Sequence, residues 1–267
     1  MLGSSLGGIV GPLLATVLVA RVSPEYLILM AMALLEFAAR IAGKLNKYRL
    51  SPGTESSRPV GGNIWSGFSA VFSSSYLLLV AAYLLLYLVA PGFIYFLKAE
   101  LSRDAFADRS QRVAFFAQVE LAANSLTMLL QVLVTGRVLK SLGVTAGLLI
   151  LPVLTLILFA GLGMWTVLPM VVACDIVRRV GNFAFAKPAR EILYTVVSPE
   201  ERYKSKTILD TVVYRGGDVA VGWLYTMLSG IGLAMAQIVW VVVPIAGLWA
   251  TVGMVLGRAH HRRAGES

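Results

Sequence analysis

Four polar side chains lie within nine residues of an apolar segment in the C-terminal part of the chain. Asp210, Tyr214 and Asp218 are spaced four residues apart, which places them on one face of a helix, with Arg215 beside them. The pair Gly216–Gly217 interrupts the cluster, as is typical of a helix that is broken or closely approached by a neighbour. An ionisable group in an apolar environment is costly, so such a cluster usually faces a partner or a water-filled path. The alternative is a set of internal ion pairs with a purely structural role.

Two other apolar segments carry clusters of the same kind. Asp175 precedes Arg178 and Arg179 by three and four residues and can pair with either of them. Glu120 and Asn124 are four residues apart and share a helix face. A guanidinium group presents a planar fork of donors that matches a phosphate or a carboxylate. Charges of both signs inside apolar helices therefore predict a pathway for a charged solute.

We predict that the binding residues come from these three clusters. Arg215 and Arg179 are the first candidates for contact with an anion, and Arg178 is the next. Glu120 and Asp218 are expected to act as charge partners or gates. The full predicted substrate-binding set is Arg215, Arg179, Arg178, Glu120, Asn124, Asp218 and Tyr214.

No other pattern in the sequence points to catalysis, a metal or a cofactor. The single cysteine, Cys174, lies in an apolar run and excludes an internal disulfide. His260 and His261 have no cysteine or carboxylate spaced to join them in a metal site. The sequence also has no Walker motif and no catalytic triad spacing. We therefore expect a protein that is not an enzyme and that holds no metal and no cofactor.

The composition indicates a membrane protein. Of the 267 residues, 58% are hydrophobic and only 14% are charged, and the mean hydropathy is +0.78. Soluble domains are about 45–50% apolar and about 25% charged, so a soluble enzyme, a disordered chain and a disulfide scaffold are excluded. The net charge of +9 agrees with basic cytoplasmic loops, and we expect no nucleic-acid partner.

The apolar segments predict about eight transmembrane helices, because one crossing needs about 20 residues. A polar linker rich in Gly, Ser and Pro, from 44 to about 63, and a short interfacial helix, 64–73, separate the second span from the third. No basic residue precedes Arg21, so the first segment is predicted to be a span rather than a signal peptide. The predicted spans are 2–20, 24–43, 74–97, 112–136, 144–165, 167–186, 208–228 and 233–256.

The distribution of basic residues predicts the orientation in the membrane. Of the 23 lysines and arginines, 14 fall in one set of loops and five, Lys98 among them, fall on the opposite side. Cytoplasmic loops carry the excess of basic residues. We therefore expect both termini in the cytoplasm, in a multi-pass protein of a bacterial inner membrane.

Residues 7–12, GGIVGP, are similar to the G-x-x-x-G-P element in the fifth helix of major facilitator transporters. Gly7, Gly11 and Pro12 are then structural, since small residues four apart allow close helix packing. The polar linker resembles the central cytoplasmic loop of that superfamily. The resemblance implies a major facilitator-like fold with the following parts: 1–43, the last two helices of an N-terminal bundle; 44–66, a cytoplasmic linker; 67–258, a complete C-terminal six-helix bundle; and 259–267, a cytoplasmic tail.

The segment 187–210, KPAREILYTVVSPEERYKSKTILD, resembles a stretch of ATP/ADP translocases that reads roughly DPTKEMAYIPLDEELKTKGKAAID. Arg190 and Arg202 replace lysines conservatively, whereas Lys187 stands in place of Asp and Asp218 in place of Lys. The positions that are identical are Pro188, Glu191, Tyr194, Glu200, Lys204, Lys206 and Asp210. The resemblance implies structural or gating roles for Lys187, Arg190, Glu191, Lys204, Lys206 and Asp210.

The resemblance implies a nucleotide exchanger that works by alternating access, with a lipid bilayer and a small anionic solute as partners. That family has twelve helices, so the first four are expected to be missing: the start is misassigned, or the chain is shortened and a partner chain completes the bundle. Two alternatives stay open. One is a facilitator for an amino acid, a peptide or a drug, with Glu120 as a proton site. The other is a non-transporting membrane scaffold.

Overall fold

The computed structural model describes residues 2–19, 21–48, 64–133 and 135–266, and the regular structure in those ranges is helical throughout. Two π turns, Asn182–Ala186 and Leu209–Val213, and a 3₁₀ turn, Leu193–Val196, connect α-helices in the C-terminal part of the chain. The α-helices in these ranges are α1 (Leu2–Leu18), α2 (Pro24–Tyr48), α3 (Ile64–Ser73), α4 (Ser75–Ala105), α5 (Arg109–Leu133), α6 (Thr135–Met164), α7 (Leu168–Gly181), α8 (Lys187–Ile192), α9 (Pro199–Ile208), α10 (Tyr214–Gly230) and α11 (Met235–Glu266).

Five of the described helical segments are long and apolar enough to cross a membrane. Each exceeds the roughly 20 residues that the hydrocarbon core of a bilayer requires, or equals that length. The expected class, an all-α multi-pass membrane protein, is therefore confirmed. The five segments are Glu25–Lys44, Ser75–Ala105, Arg109–Leu130, Gly143–Met164 and Met235–Gly265.

The other three predicted spans correspond to shorter α-helices. The apolar part of α1 is Gly7–Leu18, α7 has 14 residues and α10 has 17. The apolar sequence around α7 and α10 is helical beyond those bounds, but it continues as a π turn rather than as part of one α-helix. The number of eight spans thus stays a prediction.

Helix α4 is longer than the sequence predicted, and this changes the position of one basic residue. The predicted span ended at residue 97, whereas α4 continues to Ala105 through residues that favour helix. Lys98, expected in a loop on the extracellular side, lies inside α4 and is only 8% exposed. The placement of Lys98 in a loop was therefore wrong, because the end of an apolar run is not the end of a helix.

The described residues form two units by their contacts, one within Met1–Gly61 and Phe106–Ala122, the other within Gly62–Ala105 and Ala123–Ser267. In the first unit Arg109 Nη1 lies 3.0 Å from Glu25 Oε1, with both side chains exposed. Among the described residues, no atom lies within 4 Å of a Cβ built on Gly7 or Gly11, so the close packing expected at these glycines is not found there. Pro12 lies inside α1, and its carbonyl accepts a hydrogen bond from Thr16 Oγ1 at 2.9 Å.

The second unit is built around α4, which packs against α7, α10 and α11, while α6 packs along α11. The interior of α4 is aromatic: Tyr83 is fully buried, its ring centroid is 5.4 Å from that of Trp249, and its hydroxyl donates to the carbonyl of Leu148 at 2.7 Å. The predicted helix 64–73 is confirmed as α3, which packs on α4 and α9. The linker residues 49–63 lie outside the described residues.

Candidate functional site

A cavity of about 720 Å³ lies within the second unit, between α4, α5, the helical run from α7 to the 3₁₀ turn, and the start of α10. Its volume is in the range that binds small organic ligands. The lining residues are Leu84, Tyr87, Asn124, Arg178, Arg179, Asn182, Phe183, Lys187, Arg190, Glu191, Tyr194, Asp210, Tyr214 and Arg215.

The lining of this cavity is strongly basic. It contains five cationic side chains and two carboxylates, so its formal charge is +3. Low-dielectric walls that carry one sign of charge concentrate the field and attract counter-ions. Nine residues that the sequence singled out meet here: Asn124, Arg178, Arg179, Lys187, Arg190, Glu191, Asp210, Tyr214 and Arg215.

Asp175 lies behind the arginines of α7, where it is 3% exposed and forms ion pairs with three cations. Its Oδ2 lies 3.1 Å from Arg179 Nη2, and its Oδ1 lies 3.5 Å from Arg178 Nη2. The spacing predicted that Asp175 can pair with either arginine, and in the structure it pairs with both. The Nε atom of Arg178 is buried and has no hydrogen-bond partner among the described residues.

The third cation at Asp175 is Lys98, which sequence reasoning missed. Lys98 Nζ donates to Asp175 Oδ2 at 2.6 Å, and both side chains are at most 10% exposed. The two residues are 77 positions apart, so no periodicity within one helix connects them. The only available signal was a lysine that directly follows an apolar run, because α4 carries that lysine into its contact with α7.

The two π turns lie at the cavity wall. Asn182 and Phe183 come from the first turn and Asp210 from the second. A π turn adds one residue to the helical repeat and is frequently found at functional sites. Of the predicted stripe Asp210–Tyr214–Asp218, the first two residues line the cavity, whereas Asp218 is exposed and is not part of the lining.

The expected close approach near Gly216 and Gly217 is found at the second glycine. A Cβ on Gly217 would collide with the side chain of Leu88 on α4, whereas a Cβ on Gly216 would meet nothing within 4 Å. The predicted break, however, lies before the glycines, in the π turn that ends at Val213. Gly217 thus lets α10 approach α4 while the polar residues before it border the cavity.

An aromatic wall faces the cations. The guanidinium carbon of Arg190 lies 4.6 Å from the ring centroid of Tyr87, and Arg190 Nη2 donates to Asn182 Oδ1 at 3.1 Å. The rings of Tyr87 and Tyr214 are 6.2 Å apart between centroids. Lys187 Nζ lies 5.3 Å from the ring centroid of Phe183. These contacts hold cationic groups over aromatic faces within the range of cation–π attraction.

A second cavity, of about 610 Å³, is bordered by Tyr194 and Asp210, which also line the first one, and by Lys206 and Arg202. Lys206 Nζ donates to Glu191 Oε2 at 2.7 Å and lies 5.6 Å from the ring centroid of Tyr194. Burial raises the pKa of the Tyr194 phenol, which is therefore neutral at physiological pH. The Glu191–Lys206 pair thus joins a residue of the first cavity to a residue of the second.

The remaining predicted residues lie elsewhere. Lys204 lines neither cavity and donates to Glu200 Oε1 at 2.6 Å, and this hydrogen bond holds the pKa of the Glu200 carboxyl below its usual value. Both residues belong to α9, which begins with a capping box between Ser198 and Glu201. Glu120 is part of the first unit.

The described residues contain no group of three or more His, Cys, Asp or Glu side chains that could hold a metal ion. Cys174, which directly precedes Asp175, and His260 are both buried side chains.

The comparison with known proteins gives one informative match. No protein-family model matches the chain. The chain is similar to ADP,ATP carrier protein 2 of Chlamydia pneumoniae, with 24% identity over 226 residues. The alignment covers 75% of this chain and 42% of the carrier, so the chain spans less than half of that relative. Together with the motif in 187–210, this similarity relates the chain to the ATP/ADP translocase family.

Proposed function

We propose that the protein is a secondary membrane transporter of nucleotides or of a related anionic solute. The observation that carries the proposal is the cavity of about 720 Å³ with five cations and two carboxylates in its lining. Charged groups inside a bundle of apolar helices usually mark a solute path. The name of the Chlamydia pneumoniae relative, an ADP,ATP carrier, supports nucleotides as the solute class.

The chemistry of the lining suits a phosphorylated solute that also has a planar ring. Arg178, Arg179 and Arg215 offer guanidinium donors, which bind phosphate oxygens in pairs. Tyr87 and Tyr214 offer aromatic faces on which a base can stack. We therefore propose that the arginines contact the phosphates and that the tyrosines contact the base.

The proposed mechanism is alternating access, in which helical bundles rock around a central site. The Glu191–Lys206 pair, at 2.7 Å, is the proposed contact that breaks when the cavity opens towards the segment 187–206. Lys187 and Arg190 steer the anion into the cavity by their charge.

Several finer assignments belong to the same proposal. Glu120 and Asp218 are charge partners or gates, and Asn124 is a polar contact to the solute. The major facilitator-like division into two bundles, the exchange of one anion for another, the inner-membrane location and the cytoplasmic termini are also proposed.

Binding of labelled ATP to the purified 267-residue chain in detergent tests the proposal. We expect saturable binding that Arg215→Ala weakens by about tenfold, because one charge-assisted contact is lost. Arg258→Ala is the matched control, since Arg258 is exposed on α11 and lines neither cavity. Equal affinity of the wild type and Arg215→Ala would contradict the assignment of Arg215. Binding of a non-phosphorylated solute without any binding of ATP or ADP would instead favour the facilitator alternative.

A further inference from the structure

We propose that Lys98 is a positioning residue of the anion site, which acts through Asp175 to keep Arg178 available to the anion. The proposal rests on the proposed function, because it takes the basic cavity as the place where the anion binds. Lys98 itself does not line the cavity. Its role follows from the way in which three cations, Lys98, Arg178 and Arg179, share the carboxylate of Asp175 behind the cavity wall.

The distances at Asp175 are unequal. Oδ2 accepts from Lys98 at 2.6 Å and from Arg179 at 3.1 Å, whereas the closest atom of Arg178 lies 3.5 Å from Oδ1. Charge-assisted hydrogen bonds between nitrogen and oxygen are about 2.7–2.9 Å long. Lys98 therefore has the strongest contact with the carboxylate, and Arg178 has the weakest.

Arg178 is therefore a buried cation whose charge is only partly compensated by Asp175. The Arg178 side chain is 7% exposed, its Nε has no hydrogen-bond partner among the described residues, and it lines the cavity. A buried charge that is only partly paired is costly unless another group satisfies it. An anion in the cavity supplies that group.

The charge of the cluster indicates the kind of anion. Lys98, Arg178 and Arg179 oppose one carboxylate, Asp175, so the cluster has a formal charge of +2. A doubly charged group such as a phosphate neutralises this excess, whereas a monovalent ion leaves half of it. We therefore assign the phosphoryl group of the solute to Arg178 and Arg179.

Without Lys98, the partners that remain to Asp175 within the described part of the chain are the two arginines. The carboxylate would then draw Arg178 closer, and the charge of the cluster would fall to +1. Both effects weaken anion binding. If Asp175 is neutralised as well, the two arginines are released and the charge returns to +2, so that binding recovers.

The test measures the affinity of the full chain in detergent for inorganic phosphate and for ATP, from ligand-dependent shifts in thermal unfolding. We expect Lys98→Met to weaken phosphate binding at least tenfold, since the loss of one unit charge even about 10 Å away, in a medium of effective dielectric constant near 20, lowers the affinity by more than one factor of ten. Lys98→Arg and the double variant Lys98→Met/Asp175→Asn should bind within about threefold of the wild type. The control is Lys44→Met, at an exposed position of α2.

Two results would overturn the inference: wild-type affinity in Lys98→Met, or a double variant as weak as the single one. The second result would mean that Lys98 does not act through Asp175. If Lys98→Met fails to fold, the double variant, which leaves no unpaired charge from this pair, decides the question alone. If phosphate binding follows the expected pattern but ATP and ADP do not bind, the proposed nucleotide transport fails and the role of Lys98 stands. If ATP binds with equal affinity to the wild type and to Lys98→Met, the proposed role of Lys98 fails and the proposed nucleotide transport stands.

Discussion

At the residue scale, Arg190 shows how the cavity wall orients a cation before any ligand is bound. Its guanidinium group lies over the ring of Tyr87 at 4.6 Å and donates to Asn182 at 3.1 Å. A side chain held by two contacts has less rotamer freedom to lose on binding, which favours affinity. Tyr87 therefore contributes to the binding of the phosphates through Arg190, even without touching them.

We expect Tyr87→Leu to weaken ATP binding about three- to fivefold, because a cation–π contact of about 1 kcal/mol is lost. Tyr87→Phe retains the ring and should bind almost like the wild type. Tyr95→Leu is a suitable control, since Tyr95 is 66% exposed on the same helix and does not line the cavity. Equilibrium binding at a temperature at which all four proteins are folded checks the expectation. A loss in Tyr87→Phe as large as in Tyr87→Leu would show that the aromatic face is not what matters.

Sequence reasoning identified those cavity residues whose partners lie on the same helix. Asp175 with Arg178 and Arg179 follows from a spacing of three and four residues. Lys98 and Tyr87 could not be found in this way, because they lie on α4 and meet α7 and α8 only through tertiary packing. Asp218 keeps its predicted spacing from Tyr214, since both lie in α10, but it does not line the cavity.

At the scale of the elements, α11 and α6 approach closely at one glycine. A Cβ on Gly257 would lie 2.7 Å from Thr145 Cγ2 and 2.8 Å from Thr145 Cβ. A threonine has a stiff χ1 and its Cβ cannot move without the backbone. A residue without a side chain is therefore required where α11 passes Thr145, as in other close helix contacts in membranes.

We expect Gly257→Ala to lower the stability of the protein by about 1–3 kcal/mol, since overpacking outweighs the gain in helix propensity. Gly247→Ala, on the same helix, should leave stability unchanged or raise it, because no atom lies within 4 Å of its Cβ position. Thermal unfolding of both variants in the same detergent separates the two cases. A melting temperature of Gly257→Ala at or above that of Gly247→Ala would contradict the close approach.

The elements themselves were predicted unevenly from the sequence. The apolar runs gave α3 with the observed bounds and gave the cores of the five long spans, because burial in lipid leaves a strong compositional signal. The π turns at 182–186 and 209–213 have no such signal, since a π turn differs from an α-helix in its backbone hydrogen bonds and not in a characteristic composition.

At the scale of the whole molecule, charge and hydropathy determine the orientation that we propose. With Lys98 buried inside α4, the basic residues of the predicted extracellular side number four against fourteen on the other side. The correction thus strengthens the asymmetry that places the more basic loops in the cytoplasm.

A C-terminal reporter tests this orientation. We expect a green fluorescent protein fused after Ser267 to fluoresce in bacteria, and an alkaline phosphatase fused there to be inactive, because phosphatase folds only in an oxidising compartment. A phosphatase fusion at Arg103, in the last turn of α4, should be active if that end of α4 faces the opposite side. Activity of the fusion after Ser267 would reverse the proposed topology.

The π turns make the composition of the cavity wall depend on a count of residues. In an α-helix each residue turns the chain by about 100°, so one residue more or fewer rotates everything that follows by about that angle. Asp210 and Arg215 are five positions apart and would lie on different faces of an α-helix, whereas the extra residue of the π turn Leu209–Val213 brings both of them to the cavity. A change that makes Leu209–Val213 regular α-helix would therefore alter the composition of the cavity wall without replacing any charged residue.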